Sequence, residues 1–301
     1  MIIQAYRALR SVWKHPLCMK RHSNMLYRFV KWHIAGRLAP GDIAVEWVNG
    51  TKFLARPWHF GFSANVYCGL LEYADMSFLL HALRPDDWFF DIGANRGSYT
   101  VLAGAAVGAK VIAAEPVPDV FLNLLANVNL NAMAGRVECF NIGLGEKAGT
   151  LVFTSDAVDC INHVVSEKET TGKTVTVPVQ KLDDLAGDRV PFLIKIDVEG
   201  YEWFVLQGGL NVLGKDSLKA IIIEFNNTGL SRYGVGDDQI HRLLKENGFD
   251  AMAYDPGNRT LAPLDPFAEK RSGNVIYVRD LAVVQDRLKT GPSYQLFGRS
   301  V

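Results

Sequence analysis

Phe90-Asp91-Ile92-Gly93-Ala94-Asn95-Arg96-Gly97-Ser98-Tyr99-Thr100 decides the fold of this chain. An apolar run enters it at Trp88 and a helical pattern leaves it, so the segment reads as strand, small-residue loop, helix. Small residues let a ligand approach the backbone, and the first turn of a helix leaves N–H groups unpaired. A dinucleotide site needs G-x-G-x-x-G. Counted from Gly93, Asn95 and Ser98 stand where glycines belong, so a tight pyrophosphate turn is poorly supported. Asp91 instead puts a carboxylate at the strand's end. There it can organise the loop and accept N–H donors from a cationic ligand.

Outward from the loop, short apolar strands alternate with helices. Strands are expected at 88–92, 110–114, 137–141, 192–196 and 219–224, with helices at 120–130 and 203–213. This alternation argues for a Rossmann-like α/β fold, with a mostly parallel sheet covered on both faces. Extra strands at 150–154 and 174–179 interrupt it. Residues 274–278 form a last, antiparallel strand beyond Asp255-Pro256-Gly257-Asn258. Seven core strands are expected.

Upstream, residues 1–38 read as two helical pieces broken near His15-Pro16. The second places Leu26, Phe29, Val30, His33 and Ile34 on one apolar face. Runs at 44–48 and 51–54 flank Asn49-Gly50, the signal of a hairpin with a type I′ turn. A helix at 70–83 ends before Pro85. The expected organisation is an N-terminal segment of helices and hairpin, 1–69, and a catalytic domain, 70–301.

The whole chain carries no net charge, but its distribution is uneven. Residues 1–41 hold eight Lys or Arg and no acid, leaving a net of −8 on the remainder. Trp13, Leu17, Met25, Tyr27, Phe29 and Trp32 interleave with those charges. Two readings follow for residues 1–38: docking on an anionic membrane surface or a protein partner, or packing of the apolar side chains on the sheet or in a dimer contact with the charges solvated, which is preferred. Nucleic acid is not expected, since no reading motif is present. Cys18, Cys68, Cys139 and Cys160 are scattered, suggesting neither zinc site nor disulfide framework. No apolar run reaches the ~18 residues of a membrane span, and no secretory signal is visible. A cytoplasmic protein is expected, peripheral to a membrane if the arm docks.

Four further motifs end strands. Glu115-Pro116 lies 22 residues after Gly93, where a carboxylate accepts ribose hydroxyls. Asn141 and Ile142 stand where side chains flank an adenine ring, although a plain strand exit explains them equally. Lys195-Ile196-Asp197-Val198-Glu199-Gly200 concentrates charge at the end of an apolar strand, where ligands of open α/β sheets bind. Alternation puts Lys195, Asp197 and Glu199 on one face. A Lys195 ion pair fastening two strands is the structural alternative. Glu224-Phe225-Asn226-Asn227 adds a carboxylate to the same rim.

From about Leu70 to Asp280 the chain resembles the FkbM family of methyltransferases. The resemblance rests on Phe90–Thr100, Glu115-Pro116, Asn127-Val128-Asn129-Leu130-Asn131, Lys181-Leu182-Asp183-Asp184, Lys195–Gly200 with Glu202, Ile223-Glu224 and Asn274–Asp280. It implies a class I methyltransferase sheet, S-adenosylmethionine as cofactor, and O-methylation of a hydroxyl on a glycan, sugar or natural product. Arg96 departs from the family's usual apolar residue; it is expected on the exposed side of the loop, with contact to the substrate as the alternative. Residues 1–60 lie outside the resemblance.

Asp91, Gly93, Ala94, Asn95, Gly97, Tyr99, Thr100, Glu115, Pro116, Asn141, Ile142 and Asp197 are thus the expected cofactor residues. Candidates beside the reacting groups are Asp197, Glu199, Glu224 and His163. His163 belongs to an inserted segment, 156–166, that covers the site in this reading. A divalent metal on Asp197, Glu224 and Asn226 is conceivable but not favoured, because Lys195 already neutralises a carboxylate. The competing functions are an NAD-dependent oxidoreductase, disfavoured by Asn95 and Ser98, and a non-catalytic adapter that keeps the fold.

Overall fold

The computed structural model describes residues 10, 12–19, 22–39, 41–56, 60–155, 162–165, 172–267 and 273–301. Cys160 and most of the inserted segment lie outside them. The elements that position the site are α1 (His22–Leu38), β1 (Ile43–Glu46), β2 (Lys52–Ala55), α2 (Phe60–Cys68), α3 (Tyr73–Ala82), β3 (Trp88–Ile92), α4 (Ser98–Val101), β4 (Lys110–Ala114), α5 (Pro118–Leu130), β5 (Val137–Phe140), β6 (Gly143–Leu144), β7 (Gly149–Thr154), β8 (Thr174–Gln180), β9 (Pro191–Ile196), α6 (Glu202–Gln207), β10 (Ala220–Phe225), α7 (Asp237–Glu246), β11 (Asp250–Asp255), β12 (Thr260–Pro263), β13 (Gly273–Val278) and α8 (Leu281–Thr290).

The main sheet has eight strands in the order β12-β11-β13-β10-β9-β3-β4-β5. β3, β4, β5, β9 and β10 run parallel, and β13 enters antiparallel between β10 and β11. Numbered along the chain, the seven core strands read 3-2-1-4-5-7-6 across the sheet. The eighth is β12, a short and largely exposed edge strand after the turn at 255–258. β7 and β8 form a separate three-stranded sheet with β6.

Side-chain alternation explains the two layers of helix. Phe89, Val111, Leu193 and Ile222 face one way, onto residues of α3, α4, α5 and α8. Phe90, Ile112, Ile194 and Ile221 face the other, onto residues of α6 and α7. Every residue of β9 is buried, as a central parallel strand requires. The helix expected at 203–213 is interrupted at Gly208-Gly209.

The hairpin forms as its sequence predicts. Asn49 and Gly50 take positive φ, and the Thr51 N–H donates to the Val48 carbonyl at 3.0 Å, closing a type I′ turn. The second N-terminal helix buries only part of the expected face: Phe29 and His33 pack on Tyr67, but the rest of the set does not. Leu26, Val30 and Ile34 are exposed, whereas Met25 and Trp32 are buried against the body. The Trp32 indole donates to Ser63 Oγ at 3.3 Å, and Arg28 donates twice to the Tyr67 carbonyl. α1 has apolar side chains all round, and the partners offered by α2 select the buried side. Burying Trp32 contributes roughly 2 kcal/mol.

Candidate functional site

A cleft opens at the carboxyl ends of β3, β4, β9 and β10, across the switch point where the chain order reverses between β3 and β9. Its floor is the loop after β3. Gly93 has a φ of +78°, and a Cβ there would lie 1.8 Å from the Asp197 carbonyl oxygen. Only glycine permits that approach, which joins the loop to the end of β9. Asp91 is buried beneath the loop and accepts a 2.5 Å hydrogen bond from Thr100 Oγ1. Burial raises its pKa to about 6, against the pull of Lys195 and Thr100.

Glu115 braces the loop from β4. Its Oε2 accepts the Asn95 N–H and its Oε1 accepts the Val117 N–H, both at 2.9 Å. Glu115 also lines the cleft, so the same carboxylate is both loop brace and cleft wall. Of the expected cofactor residues, Asp91, Gly93, Ala94, Asn95, Tyr99, Glu115, Pro116, Ile142 and Asp197 line the cleft. Asn141 does not. Its amide donates to the carbonyls of Glu115 and Pro116 at 2.9 Å, which holds that turn rather than a ring. Thr100 is fully buried under the loop, and Gly97 supplies a left-handed start to α4. Arg96 is not on the exposed side of its loop. It is almost fully buried, lines the cleft and lies 3.9 Å from Asp42.

The opposite wall holds the charges. Lys195 Nζ, buried, contacts Asp197 Oδ2 at 2.6 Å and sits 4.7 Å from the centre of the Tyr99 ring. This pair joins one strand to its own continuation rather than fastening two strands. Burial alone would lower Lys195, but Asp197, Glu72 and Asp91 hold it above its ordinary value. Asp197, Glu199 and Glu224 bring carboxylate oxygens within 4.8 Å of one another. Burial, then Asp197, raises Glu199 to about 7. Burial, then Asp197 and Glu199, raises Glu224 to about 9. Glu199 also holds a φ of +54°, unusual for a non-glycine residue and the kind of strain that gathers at functional sites.

Asn226 does not join this group through its oxygen. Its Oδ1 accepts the Gly229 N–H, while its amide donates to Glu199 Oε2 at 3.2 Å. The third carboxylate of the cluster is Glu199. His163 does not line the cleft, although Asn162 and Val164 beside it do. Its charge still reaches Glu199, acting to lower that residue's pKa.

Several wall residues escaped the sequence reading. Phe53 and Phe62, stacked with centroids 3.6 Å apart, line the cleft with Asn65 and Leu71. Glu72 accepts from the Tyr99 hydroxyl at 2.7 Å and from Asn274 at 2.9 Å. No local motif marks any of them. The only available signal was their position just before the loop-bearing strand.

Residues 91–251 match the family described as Methyltransferase FkbM domain. The hexuronic acid methyltransferase AglP of Haloferax volcanii is 30% identical, over 56% of this chain and 65% of that protein. The 31-O-demethyl-FK506 methyltransferase FkbM of Streptomyces tacrolimicus is 29% identical, over 45% of this chain and 65% of its own. The chain therefore spans just under two thirds of each relative. Among solved structures, a precorrin-6y C5,15-methyltransferase from Geobacter metallireducens aligns over 69% of this chain and 88% of that one. Its identity is 15% and its TM-score 0.39. The matched segment is more than half of the chain and carries the Gly93 loop, Glu115 and the Asp197–Glu199–Glu224 cluster: the chain belongs to the FkbM family of methyltransferases.

Proposed function

We propose that this protein is an S-adenosylmethionine-dependent O-methyltransferase acting on a hydroxyl of a glycan, sugar or natural-product acceptor. The observation that carries the reading is the cleft itself, with a glycine loop and ribose-type carboxylate on one side and a cluster of perturbed carboxylates on the other. The relatives named for a hexuronic acid and for 31-O-demethyl-FK506 agree with such an acceptor.

The residues present fit the cofactor. Gly93 exposes bare backbone on the cleft floor, where a ligand can approach closely, and Glu115 puts a carboxylate on the same cleft at the end of the next strand, the place where an acid meets ribose in related folds. Asp91, Gly93, Ala94, Asn95, Tyr99, Pro116 and Ile142 complete that half, while Gly97, Thr100 and Asn141 support it from behind. When bound, S-adenosylmethionine supplies an electrophilic methyl group.

The chain's own contribution is positioning and proton transfer. Glu199, with a pKa about 7, is matched to taking the acceptor hydroxyl's proton at neutral pH. Glu224, raised to about 9 by burial and then by Asp197 and Glu199, stays protonated there. Asp197, held by Lys195, fixes the end of β9 beside the loop. His163 adjusts Glu199 at a distance. The cluster works without a metal in this reading, Lys195 already compensating Asp197.

Residues 1–69 serve as a roof over the catalytic domain, 70–301. A cytoplasmic enzyme peripheral to a membrane, or bound to a protein partner, fits the basic segment 1–38. The decisive test is transfer of a radiolabelled methyl group to a panel of sugars, lipid-linked glycans and hydroxylated metabolites. Product formation on none of them, together with fluorescence titration showing tight NADH binding, would transfer the site to the oxidoreductase reading. Cofactor binding without turnover on any acceptor would favour the adapter.

A further inference from the structure

Along α1, Leu26, Val30, Ile34 and Leu38 recur every fourth residue on one side of the helix and are 43%, 47%, 50% and 80% exposed. Tyr27 extends the same face and is more exposed than any of them except Leu38. Lys31 and Arg37, both exposed, flank it. Singly exposed apolar residues are ordinary, but a contiguous stripe is not. The other side of this helix is already committed, since Met25 and Trp32 are buried and Arg28 and Trp32 bond to α2. The stripe is thus held out from the body on an anchored helix.

We infer that this face docks the protein on an anionic lipid surface. An apolar strip edged by cations, with a tyrosine in it, matches the boundary between acyl chains and acidic headgroups. Lys14, Arg10 and Trp13, also exposed, lie in the same acid-free stretch of 41 residues. The 17-residue helix carries Arg28, Lys31 and Arg37, so it lies on the surface rather than crossing it. A second copy is a poorer occupant. Pairing α1 on itself would bring together two sets of cations with no acid in the segment to offset them.

The geometry gives docking a use. α2 is sandwiched between α1 and the cleft: Ser63 and Tyr67 hold α1, while Phe62 and Asn65 line the cleft. Both α2 and α1 therefore stand between the cleft and the docked surface, two helix layers or about 20 Å. A membrane-embedded acceptor with an exposed hydroxyl would be presented there.

The test is co-sedimentation of the full chain with vesicles of phosphatidylcholine alone and of phosphatidylcholine with phosphatidylglycerol, at low and high salt. Binding is expected only with the anionic vesicles, weakened by salt. The combined substitution Leu26→Asn, Val30→Asn and Ile34→Asn should reduce it by on the order of tenfold or more, as should Lys31→Glu with Arg37→Glu. The charge variant touches no packed side chain, so it stays informative if the apolar variant melts early. Absence of the protein from the anionic pellet overturns the inference, as does binding that survives both sets of substitutions. A concentration-dependent dimer abolished by the stripe substitutions, with no vesicle binding, overturns it in favour of self-association.

Discussion

The backbone of Asp197 lies so close to Gly93 that no side chain fits between them, a Cβ at 93 falling 1.8 Å from the Asp197 carbonyl oxygen. The loop after the first core strand and the end of the fourth are therefore one unit. Gly93→Ala combines this clash with a φ of +78°, which L-residues resist. A loss of stability of roughly 1–3 kcal/mol is expected, with cofactor affinity falling as well. Urea melts and calorimetry read the two effects. If both stay at wild-type values, the contact between loop and strand is not as described.

Glu115→Ala removes the acceptor that closes the loop on Asn95 as well as the group proposed for ribose. Adenosylhomocysteine affinity should fall by about 1–3 kcal/mol. Asn141→Ala loosens the Glu115-Pro116 turn without facing the cleft, and its effect should be smaller. Titration calorimetry on both variants makes the comparison, and a larger loss in Asn141→Ala would reverse the assignment.

The pH profile follows from the cluster. Glu199 must be ionised to accept a proton, so kcat/KM should rise with pH up to a shoulder near its pKa of about 7. Glu224 loses its proton near about 9, so activity should decline beyond that. These carboxylates titrate together, and the two limbs belong to the group. Glu199→Gln should lower kcat by about 10²–10⁴-fold and erase the acid limb. An unchanged acid limb in that variant would move the base elsewhere.

Glu202 allows a stability test away from the chemistry. Its Oε1 accepts the N–H groups of Val198 and Gly200 at 3.1 Å, while burial raises its pKa from 4.5 to about 7. Between those values the folded protein holds more protons than the unfolded chain. This residue's contribution therefore weakens as pH rises through that window, and the cost is complete above it. Glu202→Gln keeps an acceptor oxygen and cannot ionise. Relative to wild type it should gain stability on going from about pH 5 to about pH 8, by on the order of 1–3 kcal/mol. Urea melts at both pH values measure the change, and a pH-independent difference counts against it.

Metal removal should leave activity intact. Lys195 already pairs with Asp197, so part of the charge a divalent ion would need is compensated within the chain. Rates measured with EDTA and after adding Mg²⁺ should agree. Loss and recovery would make the cluster a metal centre.

Much of this was legible from residue order. Strands 88–92 and 110–114 form at the expected residues because they combine apolar runs with clear turn signals, and the Gly93 loop and Glu115 meet in one cleft. β12 was not foreseen, because an exposed edge strand of four residues carries no buried face to create a pattern. The buried side of α1 was partly misread for a different reason. A helix apolar all round contains no internal record of which side is covered, and Ser63 and Tyr67 decide it from elsewhere in the chain. Phe53, Phe62 and Glu72 were missed because their meaning lies in what they meet, Tyr99 and each other, not in their neighbours along the sequence.

Phe53, Phe62, Asn65, Leu71 and Glu72 all precede residue 91, whereas the Gly93 loop, Glu115 and the carboxylate cluster all follow it. The two walls of the cleft are thus encoded on separate stretches of one polypeptide. Under the proposed function, substitutions at Phe53, Phe62, Asn65 or Leu71 would alter what enters the cleft, while Glu72 couples that stretch to the loop half through Tyr99.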